Sequence, residues 1–119
     1  MSLILYGIPN CDTVKKARSW LDQNAIDYRF HDFKKAGLDT GTVQAWLQQV
    51  DWEVLVNRKG TTWRALPDAR KAAVHDAASA TDLMLESTSV IKRPVLVKDG
   101  QTFVGFSTDT YQQIFESKA

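Results

Sequence analysis

The architecture of this chain is set by residues 3–21, LILYGIPNCDTVKKARSWL. Leu3–Tyr6 is a short apolar run, and the turn-forming residues GIPN that follow it are typical of the end of a buried strand. Between Asp12 and about Asn24, apolar side chains recur at helical spacing, at Val14, Ala17 and Leu21. The stretch therefore predicts a strand, a tight turn and an amphipathic helix.

A second strand is predicted directly after this helix. Ile26, Tyr28 and Phe30 alternate with polar residues, which is the period-2 pattern of a half-buried strand. Strand, helix and strand together make a βαβ unit. Because the crossover in such a unit is right-handed, its two strands are expected to be parallel neighbours or near-neighbours in one sheet.

The middle of the chain is predicted to be helical. Asp39 or Thr40 is a suitable cap for a helix whose inward positions are Val43, Trp46, Leu47 and Val50. Three further helical segments are predicted: a short piece at Trp52–Val56, a helix from Pro67 through Ala78, and a brief helix that begins at Thr81 or Asp82.

The last part of the chain returns to the sheet. Pro94–Val97 is an apolar run, Asp99-Gly100 is a strong hairpin signal, and residues 102–106 run back as the paired strand. Ser107 or Thr108 then caps a final helix. The order βαβ, helices, ββα predicts an α/β, thioredoxin-like fold with a mixed sheet. We expect one domain over residues 1–119, with a helical insertion at about 38–88.

The composition indicates which classes of partner and which cellular compartment to expect. Lysine and arginine number 15 against 14 acidic residues, so the net charge of +1 gives no electrostatic reason to expect direct nucleic-acid or membrane binding. No apolar run approaches the roughly 20 residues of a membrane span, and the N-terminal residues do not resemble a signal peptide. One cysteine suits a reducing compartment. We therefore expect a cytoplasmic protein, and nothing demands more than a monomer.

The single cysteine, Cys11, is the strongest candidate for chemistry. It lies between the first predicted strand and the first predicted helix. The free N–H groups and the dipole of a helix N-terminus favour an anion such as a thiolate at this position. Asn10, Asp12 and Thr13 would shape the same loop, and Lys15 would add positive charge. The candidate substrate-binding residues are Asn10, Asp12, Thr13, Lys15, Arg58, Arg93 and Pro94. The structural alternative is a cysteine that acts only as a small buried apolar residue.

Two arginines are candidate partners of this thiol. Arg93 directly precedes Pro94, which opens the third strand, and Arg58 lies in the polar segment NRKG at residues 57–60. A guanidinium suits oxyanions and carboxylates and also stabilises a thiolate. From spacing alone, a surface charge is the favoured interpretation of each. The two histidines, His31 and His75, have no partner at metal-ligand spacing, and no metal site is expected.

Three segments together resemble the ArsC/Spx family, with the closest likeness to its YffB branch: LYGIPNCDTVKKA at 5–17, NRK at 57–59 and IKRPVLV at 91–97. The resemblance runs essentially from end to end and includes VGF at 104–106. It implies a thioredoxin-like fold with a helical insertion and a cis bond before Pro94. It also implies that Cys11 is the nucleophile and that Arg58 and Arg93 are its basic partners.

The departures from the family are as informative as the likeness. Arsenate reductases of this family carry a histidine four residues before the nucleophile, where this chain has Gly7, and a third arginine near the last strand, where it has Gly105-Phe106. Spx regulators carry a Cys-x-x-Cys switch, whose second position here is Val14. The resemblance therefore favours neither efficient arsenate reduction nor an internal disulfide.

The function predicted from these residues is a glutathione-dependent thiol oxidoreductase that uses Cys11 as nucleophile. Since the chain has no resolving cysteine, the second thiol must come from outside, and glutathione is expected as co-substrate rather than as a bound cofactor. Its partners would be glutathione or a small thiol or disulfide, with glutaredoxin as a further candidate. The alternatives are an Spx-like regulator that binds the RNA polymerase α subunit and, third, an arsenate reductase.

Overall fold

The computed structural model describes residues 2–116 and divides the chain into two compact units. The first unit combines Met1–His31 with Arg93–Ala119, and the second is Asp32–Lys92. The insertion predicted at about 38–88 lies within the second unit. That the whole chain is a single domain stays a prediction. No helix within residues 2–116 has both the length and the apolar character needed to cross a membrane.

A mixed four-stranded sheet organises the first unit. Its strands are β1 (Leu3–Gly7), β2 (Arg29–Asp32), β3 (Val95–Lys98) and β4 (Gln101–Val104). Their order in space is β2-β1-β3-β4, and β3 runs antiparallel to both β1 and β4. The predicted βαβ and ββα segments thus meet in one sheet, where β1 lies next to β3.

The helices are α1 (Asp12–Gln23), α2 (Phe33–Ala36), α3 (Thr40–Leu47), α4 (Trp52–Leu55), α5 (Thr61–Arg64), α6 (Asp68–Ala72), α7 (Ala77–Glu86) and α8 (Thr108–Glu116), with a 3-10 turn at Thr88–Val90. The short helices α2 and α5 and the 3-10 turn were not predicted from the sequence. Helix α1 matches its prediction closely, because it carries an uninterrupted apolar face.

The core of the first unit lies between the sheet and the helices α1 and α8. Leu5 faces Leu96 across the β1–β3 pair, and both side chains are fully buried. Seven buried residues form one cluster there: Leu3, Leu5, Ala17, Leu21, Leu96, Tyr111 and Ile114. This packing holds the end of β1 and the beginning of α1 in a fixed relation, which places the loop between them.

Strand β2 begins later than the alternation from Ile26 predicts. Helix α1 ends in a turn in which Ala25 has a positive φ of 54° and the N–H of Ile26 donates to the carbonyl of Leu21. Residues 26–28 therefore follow the helix end rather than the sheet. Ile26 and Tyr28 still pack on the core cluster. The alternating apolar residues at 26–28 are therefore partly buried, although they do not belong to a strand.

The turn between β3 and β4 is as predicted, but β4 ends at Val104 rather than at residue 106, because Gly105 follows with a positive φ of 85°. Asp99 and Gly100 form its two-residue turn with positive φ values of 49° and 86°, and Lys98 pairs with Gln101. The N–H of Ser2 donates to the Asp99 carboxylate at 2.7 Å. This contact ties the start of the chain to the hairpin.

In the second unit, the cap predicted for α3 is present. The carboxylate of Asp39 accepts a hydrogen bond from the N–H of Thr42 at 2.8 Å, and Val43 and Trp46 are buried. Helix α3 ends at Leu47, so Val50 lies beyond it.

The single helix predicted from Pro67 through Ala78 is wrong, and so is the helix start predicted at Thr81 or Asp82. Helix α6 ends at Ala72, and α7 begins at Ala77. Asp76 is the N-cap of α7, since its carboxylate accepts from the N–H of Ser79 at 2.8 Å while the Ser79 hydroxyl accepts from the N–H of Asp76. This capping box starts a new helix inside the predicted one.

Candidate functional site

The backbone around Cys11 makes it the N-cap of α1. Its φ of −139° and ψ of 125° are extended, and its carbonyl accepts the N–H of Lys15 at 2.9 Å as the first bond of the helix. The strand before it ends at Gly7, and the first buried residue of the helix is Val14. The Cys11 thiol is partly exposed to solvent and has no disulfide partner.

The surroundings of the thiol lower its pKa. Partial burial raises the pKa of Cys11, but this effect is outweighed by the N–H of Val14, by the hydrogen bond and positive charge of the Arg93 guanidinium, and by the N–H of Thr13. Val14 and Thr13 supply the N–H groups that an N-cap side chain ordinarily receives. These N–H groups favour the thiolate, because an anionic sulfur accepts hydrogen bonds more strongly than a neutral thiol.

Arg93 reaches the thiol from the beginning of β3. The Arg93–Pro94 peptide bond is cis, as the family resemblance implied. Pro94 is buried, and its carbonyl accepts the N–H of Gly105 at 2.8 Å. The next residue, Val95, pairs with Tyr6 near the end of β1. The sheet thus places Arg93 at the end of β1 that leads into the Cys11 loop.

The other residues predicted around the thiol lie on the same loop and first helical turn. Asn10, Asp12, Thr13 and Lys15 are all exposed. Thr13 acts on the thiol through its backbone N–H. That these four residues bind a substrate stays a prediction.

Arg58 belongs to the second unit, and its approach to Cys11 stays a prediction. Its Nη2 donates to a carboxylate oxygen of Glu53 at 3.0 Å, and its Cζ atom lies 5.6 Å from the centre of the Trp52 ring. The side chains of Arg58 and Glu53 are 47% and 50% exposed. The guanidinium therefore remains accessible to solvent while it contacts two residues of α4.

Sequence reasoning missed two parts of this arrangement. The N–H of Val14 was not considered, although the third residue after an N-cap regularly donates to it and the position could have been counted from Cys11. The contacts of Trp52 and Glu53 with Arg58 were also missed. These contacts depend on how the chain turns after α4, and no pattern in the sequence predicts that turn.

A single cysteine at the N-terminus of the first helix, in contact with an arginine that precedes a cis proline, is typical of a thioredoxin-like thiol protein. The ArsC family model matches residues 6–114, and the chain belongs to the ArsC family. The fold predicted from the sequence is confirmed by solved structures of this family.

Two of these structures are similar in sequence as well as in fold. The YffB protein has 48% identity and a TM-score of 0.89, and the match covers 93% of this chain and 96% of that one. An arsenate reductase (ArsC) related protein from Brucella melitensis has 52% identity and a TM-score of 0.76, over 98% of this chain and 95% of the other. The predicted resemblance to the ArsC/Spx family and its YffB branch is thereby confirmed.

The chain is also similar in sequence to a transcriptional regulator. The global transcriptional regulator Spx of Lactiplantibacillus plantarum is 22% identical over 119 residues, which cover 98% of this chain and 88% of the relative.

Proposed function

We propose that this protein is a glutathione-dependent thiol oxidoreductase in which Cys11 is the nucleophile. The contact between Cys11 and Arg93 carries the proposal, because a partly exposed thiol whose pKa is lowered by a neighbouring guanidinium and by helix N–H groups is suited to nucleophilic attack. Such a thiolate works in a reducing compartment, and we place the protein in the cytoplasm.

The proposed reaction needs two thiol–disulfide exchanges. The Cys11 thiolate attacks the glutathione sulfur of a mixed disulfide between glutathione and a substrate thiol; a Cys11–glutathione disulfide forms, the substrate sulfur–sulfur bond breaks, and the substrate thiolate leaves and takes up a proton. A second glutathione thiolate then attacks the glutathione sulfur on Cys11. Glutathione disulfide is released and the Cys11 thiolate is restored. Each turnover thus consumes one free glutathione thiol, whose sulfur is joined in glutathione disulfide to the glutathione taken from the substrate.

The basic side chains have distinct roles in this scheme. Arg93 stabilises Cys11 as an anion both before attack and when Cys11 leaves in the second exchange. Glutathione carries two carboxylates, and a guanidinium fork binds a carboxylate well. That Arg58 binds one of these carboxylates stays a prediction, which follows from the family resemblance alone.

Replacement of the nucleophile tests the proposal directly. The full-length protein is assayed for reduction of a mixed disulfide of glutathione and cysteamine, with glutathione disulfide formation as the readout. Cys11→Ser should abolish turnover while the circular dichroism spectrum and the urea midpoint stay close to those of the wild type. Turnover retained in Cys11→Ser, or absent from the wild-type protein, rejects the proposal.

A second candidate is an Spx-like regulator, favoured by the end-to-end likeness to Spx. This protein would bind the RNA polymerase α subunit without catalysis. Val14 stands where Spx has its second cysteine, so a regulator of this kind would lack an internal disulfide switch. Stoichiometric binding of the purified α subunit, unaffected by Cys11→Ser, would favour the regulator over the enzyme.

A further inference from the structure

The position of Arg93 depends on how the beginning of β3 is held. The next residue, Pro94, has no backbone N–H, so its carbonyl is the only backbone group through which it can hydrogen-bond. That carbonyl accepts the N–H of Gly105 at 2.8 Å. The bond extends the β3–β4 pairing by one residue beyond Val95 and Val104, which are partners in the register. The backbone of Gly105 thus restrains the residue that directly follows Arg93.

Gly105 has a backbone conformation that favours glycine. Its φ is 85°, in the left-handed region, where a Cβ atom is strained. Side chains alternate between the two faces of a strand, so a straight continuation of β4 would place residue 106 on the face opposite to Phe103. Phe103 and Phe106 nevertheless pack against the same core cluster. The turn at Gly105 therefore returns Phe106 to the core side of the sheet.

The residue after Gly105 is anchored in the core. The Phe106 ring lies edge-on to the fully buried ring of Tyr111, with 4.7 Å between the ring centres. Gly105 thus connects a segment fixed by this packing to the hydrogen bond on Pro94. If its φ changed, either the core contact of Phe106 or the bond to Pro94 would have to move.

The thiol of Cys11 is sensitive to the position of Arg93. The guanidinium lowers the pKa of Cys11 through a hydrogen bond and through its charge, whereas the other groups that lower it are backbone N–H groups of α1. Asp12 and Lys15, which are charged residues in the first turn of α1, are exposed to solvent. Both contributions of Arg93 weaken with distance, so a small displacement of its guanidinium changes how readily the thiolate forms.

We propose that Gly105 is a positioning residue for the reaction of Cys11, because its left-handed backbone holds the beginning of β3 where Arg93 contacts the thiol. The inference rests on the proposed function, in which the Cys11 thiolate is the nucleophile. Gly105 acts through Pro94 and Arg93. A side chain at residue 105 strains this φ, shifts Pro94 through the hydrogen bond, and moves the guanidinium relative to Cys11.

The test is Gly105→Ala in the full chain, with the pH midpoint of Cys11 alkylation by iodoacetamide as the readout. The matched control is Gly100→Ala. Gly100 directly precedes β4, its φ is 86°, and a Cβ atom there would meet no atom within 4 Å. The two substitutions add the same methyl group at nearly the same φ, at opposite ends of β4. A purely structural role of Gly105 would therefore give both variants the same readout.

Both variants should lower the urea midpoint, since alanine is strained at a positive φ. Only Gly105→Ala should raise the pH midpoint of alkylation, by about 0.5 pH units, which is part of the shift of about one unit or more expected when a neighbouring opposite charge is lost. In an Arg93→Gln background, Gly105→Ala should leave the pH midpoint unchanged, because no guanidinium remains to be displaced.

Asparagine provides a milder variant, because it tolerates the left-handed region better than alanine. Gly105→Asn should therefore raise the pH midpoint less than Gly105→Ala does. If Gly105→Ala does not fold, Gly105→Asn is used in the same comparisons, with Gly100→Asn as its control.

An unmoved pH midpoint in the Gly105 variant overturns the inference. An equal shift in the Gly100 control, or a shift that persists in the Arg93→Gln background, also overturns it. Turnover, measured separately, distinguishes this inference from the proposed function. A shift that depends on Arg93 in a protein without turnover supports the role of Gly105 and rejects the enzyme. Conversely, Cys11-dependent turnover with an unmoved pH midpoint supports the enzyme and rejects the role of Gly105.

Discussion

A Cβ atom added to Gly7 would lie 2.8 Å from Cγ2 of Val14 and 3.3 Å from its Cγ1. Gly7 ends β1, and Val14 is the fully buried, β-branched residue in the first turn of α1, so neither can give way easily. The missing side chain lets α1 pack directly against the end of β1. The same helical turn carries the N–H groups that stabilise the Cys11 thiolate.

This contact predicts the effect of Gly7→Ala. The added methyl group should reduce the free energy of unfolding by about 1–3 kcal/mol, the usual cost of overfilling a packed site. In a Val14→Ala background the clash is gone, and Gly7→Ala should then cost little more. Urea denaturation of the four proteins in this cycle measures the coupling. A penalty for Gly7→Ala that persists in the Val14→Ala background would contradict the packing argument.

The same contact bears on arsenate reduction. A histidine at residue 7 would need far more room than a methyl group, and Val14 fills that room. Residue 7 is thus a glycine closely packed against Val14, and no open pocket lies at the position of a histidine side chain. We therefore do not expect Gly7→His to create an arsenate reductase.

The predictions from sequence succeeded where local patterns decide the structure. Interactions within a few residues of sequence determine the apolar run of β1, the periodic apolar face of α1 and the Asp99-Gly100 turn. The predicted boundary between β1 and α1 was enough to identify Cys11 as a residue at a helix N-terminus. The α6–α7 boundary was missed because Asp76 and Ser79 lie within a run of residues that also suits a helix. Gly7 was interpreted only as part of a turn, since its contact with Val14 exists only after β1 and α1 have packed.

Arg93 should control the pH dependence of the Cys11 thiol. Its hydrogen bond and charge help to lower the pKa, so the wild-type thiolate should form below the usual range of about 8.5. Arg93→Gln removes the positive charge and the guanidinium hydrogen bond, while partial burial and the N–H groups of Val14 and Thr13 remain. The pH midpoint of alkylation by iodoacetamide should therefore move upward. Arg93→Lys should fall between the two, and Lys92→Gln, at the exposed neighbouring residue, should match the wild type. An unmoved midpoint in Arg93→Gln would refute this role.

Asp76 should make a pH-dependent contribution to stability. Hydrogen bonds from the hydroxyl and the N–H of Ser79 hold the pKa of Asp76 below its ordinary value. A carboxylate with a lowered pKa in the folded state stabilises the protein above its unfolded pKa of about 3.9, and this contribution is lost as the pH falls through the folded pKa. Asp76→Ala should therefore lower the melting temperature clearly at neutral pH and less at low pH. A difference that stays constant with pH would show that the charge of Asp76 is unimportant.

Tyr111 should be replaceable by phenylalanine with a gain in stability. Its ring is fully buried, edge-on to Phe106 at 4.7 Å and to Trp20 at 5.7 Å between ring centres, but within residues 2–116 its hydroxyl has no hydrogen-bond partner. Burial accordingly raises the pKa of this phenol.

Tyr111→Phe keeps the ring contacts and removes an unsatisfied polar group, so it should stabilise the protein by about 1 kcal/mol. Tyr111→Leu keeps burial but loses the aromatic contacts, and it should destabilise the protein. The urea midpoints should shift in opposite directions with an unchanged slope. A destabilised Tyr111→Phe would mean that the hydroxyl is hydrogen-bonded in solution. That hydrogen bond, in addition to the ring contacts, would then contribute to the free energy of unfolding.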